Sequence, residues 1–406
     1  MPHGMISRCL VNKPERIAGY PIFLIGVLAD KIKKQHNPSR LFFFIPHYHT
    51  GGAEQVHVDI LRVFAKERPL VVIVNKSHND YHKAAMRECA EVVEIGKYYN
   101  NQNRFFVKNF FLGYYTSLVK RHQGAILISS LCSFLTDLSS TVKDTFKIDI
   151  IHGYCGINPK IHINPTPYLD RRVLVSHNVH EGLLAMYDAW GVDPMYKERL
   201  RVIHNAVKVE DQLPEKQIGK EIKVVFIGRN SHEKRYHLYE QIALSCKQQG
   251  LAIQFFSIGN FSSSQNITCL GEIRTREAIY QALQDFHMLI LCSNSEGFPL
   301  VILEAMACGL VPLSTAVGGV AEMISEGETG NLIQSEAEDE IVSDFVSHLQ
   351  AYAQAPELLQ KVGRAAYERV KSEFNYRVFG SKYRALIEEA REEIASRKSN
   401  PQDKKH

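Results

Sequence analysis

Apolar positions in this chain come in short continuous runs separated by stretches of helical period. RLFFFIPHYHTGGAEQVHVDILRVFAKE, residues 40–67, opens with an uninterrupted apolar run, turns at two glycines, and continues with apolar positions three and four residues apart. That pattern predicts a buried strand, a glycine turn and a helix. LVVIVN at 70–75, GAILIS at 124–129, FKIDIIHG at 146–153 and RRVLVSHN at 171–178 are further β-branched runs, with intervals between them long enough for crossover helices. Strands that are apolar throughout, alternating with helices, predict a parallel sheet covered on both faces and not a sandwich. VEDQLPEKQIGKE at 209–221 interrupts the rhythm, which restarts at IKVVFIGRN, 222–230, and runs on through LAIQFFSIG, QNITCLG, FHMLILCS and GLVPLST. After residue 345 the period is helical.

This pattern predicts an α/β chain of two successive doubly wound, Rossmann-like domains. The expected boundaries are an N-terminal extension without assigned structure over 1–40, a first domain over 41–208, a linker over 209–221 and a second domain over 222–375. A C-terminal helix over 376–397 is expected to pack back toward the first domain, and 398–406 to form a flexible tail.

Composition agrees with two ordinary cores: 45% of the 406 residues are hydrophobic and 23% charged, which excludes a disordered or fibrous chain. Residues 1–200 hold 25 basic and 17 acidic side chains, a difference of +8, and the remainder 23 and 27, a difference of −4. Either an anionic partner meets the first half or the imbalance is a surface accident. The cysteines at 9, 89, 132, 155, 246, 269, 292 and 308 lack zinc-like spacing and read as buried thiols in a reducing compartment, so no metal site is expected. YPIFLIGVLA at 20–29 is too short to span a bilayer and lacks a cleavage site, so it reads as a core or undefined segment. RFFVKNFFLGYYTSLVKRH, 104–122, mixes aromatic and basic residues on a predicted helix. It either rests on anionic lipid, with Lys108, Lys120 and Arg121 in the contact, or buries an aromatic stripe.

The candidate chemistry sits at predicted strand ends. In SNSEGFPLVILEAMACG, 293–309, Pro299 suits the first helical turn and Gly309 the C-terminal cap. The amides of Leu300, Val301 and Ile302 would then face an incoming anion. Glu296 in the loop and Glu304 one turn into the helix either bracket a polar ligand or are two solvated side chains; spacing leaves both open. GRNSHEK, 228–234, offers Arg229 and Lys234 for a diphosphate and Gly228 for close approach, or is an ordinary charged loop. Gly51 and Gly52 in TGGAEQ admit a ligand to the backbone or simply make a tight turn. Neither loop matches a Walker A or GxGxxG pattern, which argues against a nicotinamide cofactor. His152 ends another strand, where a lone histidine is structural unless that edge binds a ligand. VIHNAV at 202–207 and VGGVAEMI at 317–324, with Gly318 and Gly319, lie at similar positions.

From about 41 to 390 the chain resembles retaining glycosyltransferases of the GT-B group called family 4, or glycosyl transferases group 1. EGFPLVILEAMACGLVP, then STAVGGVAEMI and GETGNLI, look like the family's E-x7-E element, its Gly-Gly-x-x-Glu element and the following turn, in order. The resemblance implies a GT-B fold whose two Rossmann-like domains face an interdomain cleft, with the acceptor on the first and a nucleotide-diphosphate sugar on the second. It implies that Glu304 bonds the ribose, Glu296 holds hydroxyls of the donor sugar, and the backbone of Gly297, Phe298, Pro299, Leu300 and Val301 supports sugar and phosphates. Arg229 and Lys234 would neutralise the diphosphate leaving group, Gly51 and Gly52 would lie near phosphates and acceptor, and His152 would line the reaction centre. Transfer would retain anomeric configuration without a metal; whether the nucleotide is UDP, GDP or ADP is left open. The acceptor would be a saccharide or a lipid-linked glycan, the setting cytoplasmic or peripheral at the cytoplasmic membrane face, and no nucleic acid is involved. The chain departs from the family in carrying Ile203-His204-Asn205-Ala206 where Ile-Pro-Asn-Gly is usual, and in its long N-terminal lead. A catalytically silent nucleotide-sugar-binding or assembly protein is the alternative; a phosphorylase or a non-hydrolysing epimerase is disfavoured by the motif set.

Overall fold

The computed structural model describes residues 13–33, 39–49, 51–98, 103–153, 158–213, 216 and 218–399. Cys9, Thr50, Cys155 and the tail from residue 400 lie outside the described residues. The strands are β1 Leu41–Ile45, β2 Leu70–Ile73, β3 Glu91–Glu94, β4 Ile126–Ser129, β5 Phe146–Ile151, β6 Arg171–Leu174, β7 Leu200–Val202, β8 Ile222–Ile227, β9 Ile253–Ile258, β10 Ile267–Cys269, β11 Met288–Leu291, β12 Val311–Thr315 and β13 Asn331–Ile333. The helices are α1 Lys13–Lys33, α2 Gly52–Val63, α3 Lys83–Cys89, α4 Arg104–Arg121, α5 Ser133–Ser139, α6 Pro159–Ile163, α7 His177–Ala189, α8 Tyr236–Gln248, α9 Arg276–Leu283, α10 Leu300–Ala307, α11 Val320–Met323, α12 Glu338–Gln354, α13 Pro356–Glu373 and α14 Tyr376–Ser399.

The chain divides into two compact units. The first holds residues up to Val175, Val179–Ile203 and the chain from Gly380 on; the second holds Ser176–Asn178 and His204–Phe379. Each carries one sheet, in the order β3-β2-β1-β4-β5-β6-β7 in the first and β10-β9-β8-β11-β12-β13 in the second. The strand pairs within both are parallel, for example Phe43 opposite Val71 and Ile128, and Met288 opposite Val224 and Val311. These are two doubly wound sheets whose order reverses between β1 and β4 and between β8 and β11, the points where such sheets open a ligand site at their carboxyl ends.

Parallel strands covered on both faces must be apolar along their whole length. LFFFI of β1 obeys this: Phe42 and Phe44 join a core with Leu118, Leu127 and Phe134, and Phe44 packs its ring on Tyr115 and Phe134 at 5.7 Å. The second core gathers Val224, Phe226, Tyr239, Ile290, Leu313 and Phe345. Leu112 to Val119 of α4 are all buried, so this half of the aromatic–basic helix is core, whereas Phe106 is 57% exposed; Arg121 pairs with Asp30 and Lys108 with Asp137, both at 2.6 Å. α1, in the segment left unassigned by sequence, lies against α4. A Cβ on Gly26 would come within 2.0 Å of the Phe110 carbonyl, and one on Gly113 within 1.9 Å of the Phe23 carbonyl, so the two helices touch backbone to backbone. No helix among the described residues is long and apolar enough to cross a membrane.

The polar interval 209–221 is held against the second unit. Tyr367 Oη donates to the Glu210 carbonyl at 2.6 Å, and Lys216 Nζ to the carbonyls of Leu283, Gln284 and Phe286 at 2.8–3.1 Å, where it satisfies the C-terminal end of α9. In the first unit, α14 is tied to β6: Arg171 reaches Glu389 and Glu393 at 2.8 Å, and Arg397 reaches Asp170 at 2.6 Å. Of the described cysteines all are free thiols and only Cys269 is not buried.

Arg172, 1% exposed, lies opposite Asp149 of β5, which in turn lies opposite Ser129 of β4. It donates to Asp149 at 3.2 Å, the Tyr187 hydroxyl at 2.9 Å and the His162 carbonyl at 2.6 Å, and Asp149 in turn accepts from the Ser129 hydroxyl and the Leu131 amide. Asp149→Ala leaves a buried guanidinium without its counter-charge. It is expected to destabilise the first unit by about 3–5 kcal/mol, read as a lower urea midpoint for the transition that reports this unit.

Candidate functional site

β8 and β11 are neighbours, so the loops that leave their carboxyl ends, Gly228–Lys234 and Cys292–Pro299, rise side by side. Arg235 fastens them. It takes the left-handed conformation at φ +46° and donates to the carbonyls of Cys292 at 2.7 Å and Ser293 at 3.1 Å, while the Asn294 amide donates to the Glu233 carbonyl at 2.9 Å. Lys234 Nζ then contacts the Glu296 carboxylate directly. Their side chains are 15% and 10% exposed, so this is a partly buried pair and not two solvated charges. Arg229 is different: 73% exposed, it meets only Glu233, at 3.4 Å. Of the two cations expected to act together, the structure couples one to the site carboxylate and leaves the other in solvent. Gly228 lies beneath the carbonyl contact of Gly259, whose Cβ would come within 2.2 Å of the Gly228 oxygen.

α10 begins one residue later than the proline rule suggested: Pro299, at φ −70° and ψ 117°, is the N-cap and Leu300 the first helical residue. Ile302 donates its amide to the Pro299 carbonyl at 3.2 Å, so the anion-facing set narrows to Leu300 and Val301. At the other end Cys308 is the cap and Gly309, at φ +73°, the residue after it. Leu310 N–H bonds the Ala305 carbonyl and Gly309 N–H that of Met306, the Schellman pattern. Glu304 is 7% exposed and accepts from Arg276 Nε at 3.0 Å; Arg276 also donates to the Tyr376 hydroxyl. Both glutamates thus have a resident cation. Lys234 lay within reach of sequence reasoning, but Arg276 did not, because nothing in TREAIY marks it.

The Gly-Gly pair after β12 serves the same loop. Gly318, at φ +57°, lies so close that a Cβ would stand 1.7 Å from the Glu296 carbonyl oxygen; one on Gly319 would stand 2.4 Å from that of Gly297. Gly319 N–H donates to the Gly297 carbonyl at 3.0 Å. These glycines admit a backbone of the protein itself. Asn205 Nδ2 donates to the Phe298 carbonyl at 2.9 Å, and His204 stacks on the Phe298 ring at 4.8 Å and bonds Glu322 at 2.9 Å. Glu322 also accepts from the amides of His177 and Asn178, each at 2.8 Å. Burial works against its charge, yet the bonds from His204 and the two amides hold its carboxyl below the ordinary range. His177, His204 and Glu322 bring ligand atoms within 4.8 Å of one another, but both carboxylate oxygens are already engaged by hydrogen bonds.

In the first unit Gly51 precedes α2 in extended conformation and Gly52 opens it. A Cβ on Gly51 would meet the Glu54 carboxylate at 2.2 Å, whereas one on Gly52 would meet nothing within 4 Å. Glu54 thus turns back over the helix start, a favourable place for an anion, and lies 3.5 Å from His49 Nε2. His152, after β5, faces His57 of α2 with their Nε2 atoms 3.1 Å apart and rings edge to face. One nitrogen must donate and the other accept, so both rings cannot be charged at once. Burial pushes His152 down to about 4, and burial together with His152 and His82 pushes His57 well below its usual value. Two neutral imidazoles therefore stand there at neutral pH.

Because the folded values are depressed, the unfolded chain binds more protons between about pH 4 and 6.5, and stability falls on acidification through that window. His152 alone accounts for up to roughly 3 kcal/mol. Chemical unfolding of the first unit at pH 7, 6, 5 and 4 reads this slope, which should shrink in His152→Gln. Gly318→Ala adds left-handed strain to the clash with Glu296, and the second unit should lose about 2 kcal/mol or more, seen as a lower melting temperature.

Comparison with known proteins shows what this geometry resembles. Residues 202–369 match the family model described as glycosyl transferases group 1. The N-acetyl-alpha-D-glucosaminyl L-malate synthase of Bacillus anthracis is 29% identical over 129 residues, and the O-antigen biosynthesis glycosyltransferase WbnH of Escherichia coli 30% identical over 149. These matches take in 32% and 35% of this chain and span only 32% and 41% of the relatives' own length. Among solved structures, Anabaena HepE in complex with UDP-glucose superposes with a TM-score of 0.70 at 13% identity, covering 86% of this chain and 99% of that one. The pneumococcal O-GlcNAc transferase GtfA in complex with UDP and GlcNAc gives 0.69 at 11% identity, covering 87% and 99%. Residues 202–369 thus resemble the glycosyl transferases group 1 family, and the two Rossmann-like units share the GT-B fold of these solved structures.

Proposed function

We propose that this chain is a retaining glycosyltransferase that moves a sugar from a nucleotide-diphosphate sugar to a glycan or lipid-linked saccharide, in the synthesis of cell-surface polysaccharide or glycolipid. The observation that carries the reading is the pairing of each site glutamate with its own cation, Lys234 with Glu296 and Arg276 with Glu304. Pairing orients both carboxylates in a partly buried place, ready to accept from sugar hydroxyls. In this reading Glu304 takes the ribose and Glu296 the transferred sugar. Lys234 holds Glu296 and faces the diphosphate, Arg229 adds long-range attraction from solvent, and the Leu300 and Val301 amides face the phosphates at the positive end of α10. These groups stabilise the departing diphosphate in place of a metal ion. The charges of the two ion pairs cancel, so the helix amides and Arg229 supply the positive field that an anion meets.

The first domain, 41–208, is assigned the acceptor, with neutral His152 beside the transferred sugar as a hydrogen-bonding group and not as a charge. No protein nucleophile is required if the acceptor attacks on the leaving-group face and the departing phosphate takes its proton. The relatives support the class: one is named for O-antigen biosynthesis, and HepE and GtfA were solved with UDP. We assign the enzyme to the cytoplasm, in peripheral contact with the membrane where a lipid-linked acceptor would lie. A catalytically silent nucleotide-sugar binder has the same pairs and differs only in turnover.

Incubation with a panel of nucleotide sugars and saccharide or lipid-linked acceptors tests the assignment. Transfer with retained configuration and without added metal is expected. Binding without transfer to any acceptor would favour the silent protein, and neither binding nor hydrolysis would remove the reading. Glu304→Gln removes a charge-assisted bond of about 1.5–3 kcal/mol, hence roughly 10- to 100-fold in donor affinity, measurable by calorimetry. Lys234→Ala should lower turnover more than donor affinity, because the diphosphate gains charge as it leaves.

A further inference from the structure

α1 buries one face and leaves the other apolar and bare. Ile17, Tyr20, Leu24, Ile25, Leu28 and Ile32 recur at three- and four-residue steps, and each is between 47% and 76% exposed. Six of the fifteen exposed large hydrophobic side chains among the described residues stand on this one helix, so the stripe is not the ordinary scatter of single apolar residues. Its opposite face is fully committed, through Gly19, Gly26 and Asp30, to α4. Charge completes the pattern. Between Ile17 and Lys33 and along the whole of α4, Asp30 is the only carboxylate, and it is buried against Arg121. The exposed charges of these two helices include Lys31, Lys33, Arg104 and Lys120, all positive.

We propose that the outer face of α1 is a docking surface for an anionic lipid bilayer, lying in the plane of the interface with its apolar stripe among the acyl chains and its lysines at the head groups. It deepens the peripheral-contact reading above and rests on it, but moves the contact from α4, whose residues Leu112 to Val119 are buried, to the helix that covers it. A stripe about 23 Å long, with Lys31 and Lys33 at its C-terminal end and no exposed carboxylate between Ile17 and Lys33, is what an interfacial helix requires. A second copy of the chain fits less well, because two such faces would oppose positive charge to positive charge. An anionic surface answers both the apolar and the basic side chains.

Vesicles of equal parts phosphatidylglycerol and phosphatidylcholine, and of phosphatidylcholine alone, are mixed with the full chain and pelleted. The protein should pellet with the anionic vesicles, less with the neutral ones and less in high salt. The double variant Leu24→Ser, Leu28→Ser should lose at least tenfold in partitioning, and each of Lys31→Gln and Lys33→Gln about fivefold. All these positions are exposed, so melting temperatures should match the wild type; Ile17→Ser with Ile32→Ser serves as a second pair should the first unfold. Wild type that stays in the supernatant, or a serine variant that pellets unchanged, overturns the proposal. Retained binding in the serine variant with loss in Lys108→Gln, Lys120→Gln would keep a peripheral contact but place it on α4. A dimer in sedimentation velocity that the serine variant abolishes, without vesicle binding, would assign the face to a second copy. Nucleotide-sugar binding by the same variants in solution is a separate readout, so failure of docking and failure of the transferase reading are told apart.

Discussion

The loop Glu296–Gly297–Phe298 has no slack, and the second unit is arranged around that constraint. Gly318 and Gly319 press against its carbonyl oxygens at distances no side chain allows, and Gly319 donates to one of them. Asn205 takes the carbonyl of Phe298, and His204 covers its ring. A backbone held on several sides presents Glu296 in one orientation, and Lys234 can then meet it without paying much conformational entropy at the moment a ligand arrives. Most of the site's remaining features, including the left-handed Arg235 and the N-cap at Pro299, keep that loop beside the end of β8.

A second consequence concerns His204. Where the Ile-Pro-Asn-Gly pattern has proline, this chain carries an imidazole that stacks on Phe298 and bonds Glu322. Proline would hold the chain direction by fixing its own φ, whereas His204 holds it through contacts with two other segments. The departure exchanges local rigidity for tertiary attachment. Glu322, third after the glycine pair, is the anchor of that attachment, since it also receives the amides of His177 and Asn178. The Gly-Gly-x-x-Glu element therefore works as one piece: glycines against the loop, glutamate against the segments that steady it.

The first unit handles buried polarity by a different route. Arg172 and Asp149 are a buried ion pair held further by Ser129, the Leu131 amide and the Tyr187 hydroxyl, and they tie β4, β5 and β6 together side by side. The histidine itself is kept neutral by burial, beside the His57 imidazole. Charge is gathered around Glu296 and Glu304 in the second unit, while His152 in the first is neutral.

Much of the architecture was legible because it depends on local pattern. Continuous apolar runs mark parallel strands, the polar interval before IKVVFIGRN marks a change of unit, and the spacing of Glu296, Pro299, Glu304 and Gly309 marks a loop and short helix. What the chain could not disclose locally were interactions between residues far apart in sequence. The partner of Glu304 is 28 residues away on a helix without a motif, and that of Glu296 is 62 away. The glycines after β12 are pressed against a backbone of the protein itself, and the second half of the aromatic helix α4 is core, with α1 packed against the helix. Periodicity reports how a segment is buried but not what buries it, so sequence alone determined most of the strands and helices and which residues stand at their ends, while tertiary packing decided which charges met.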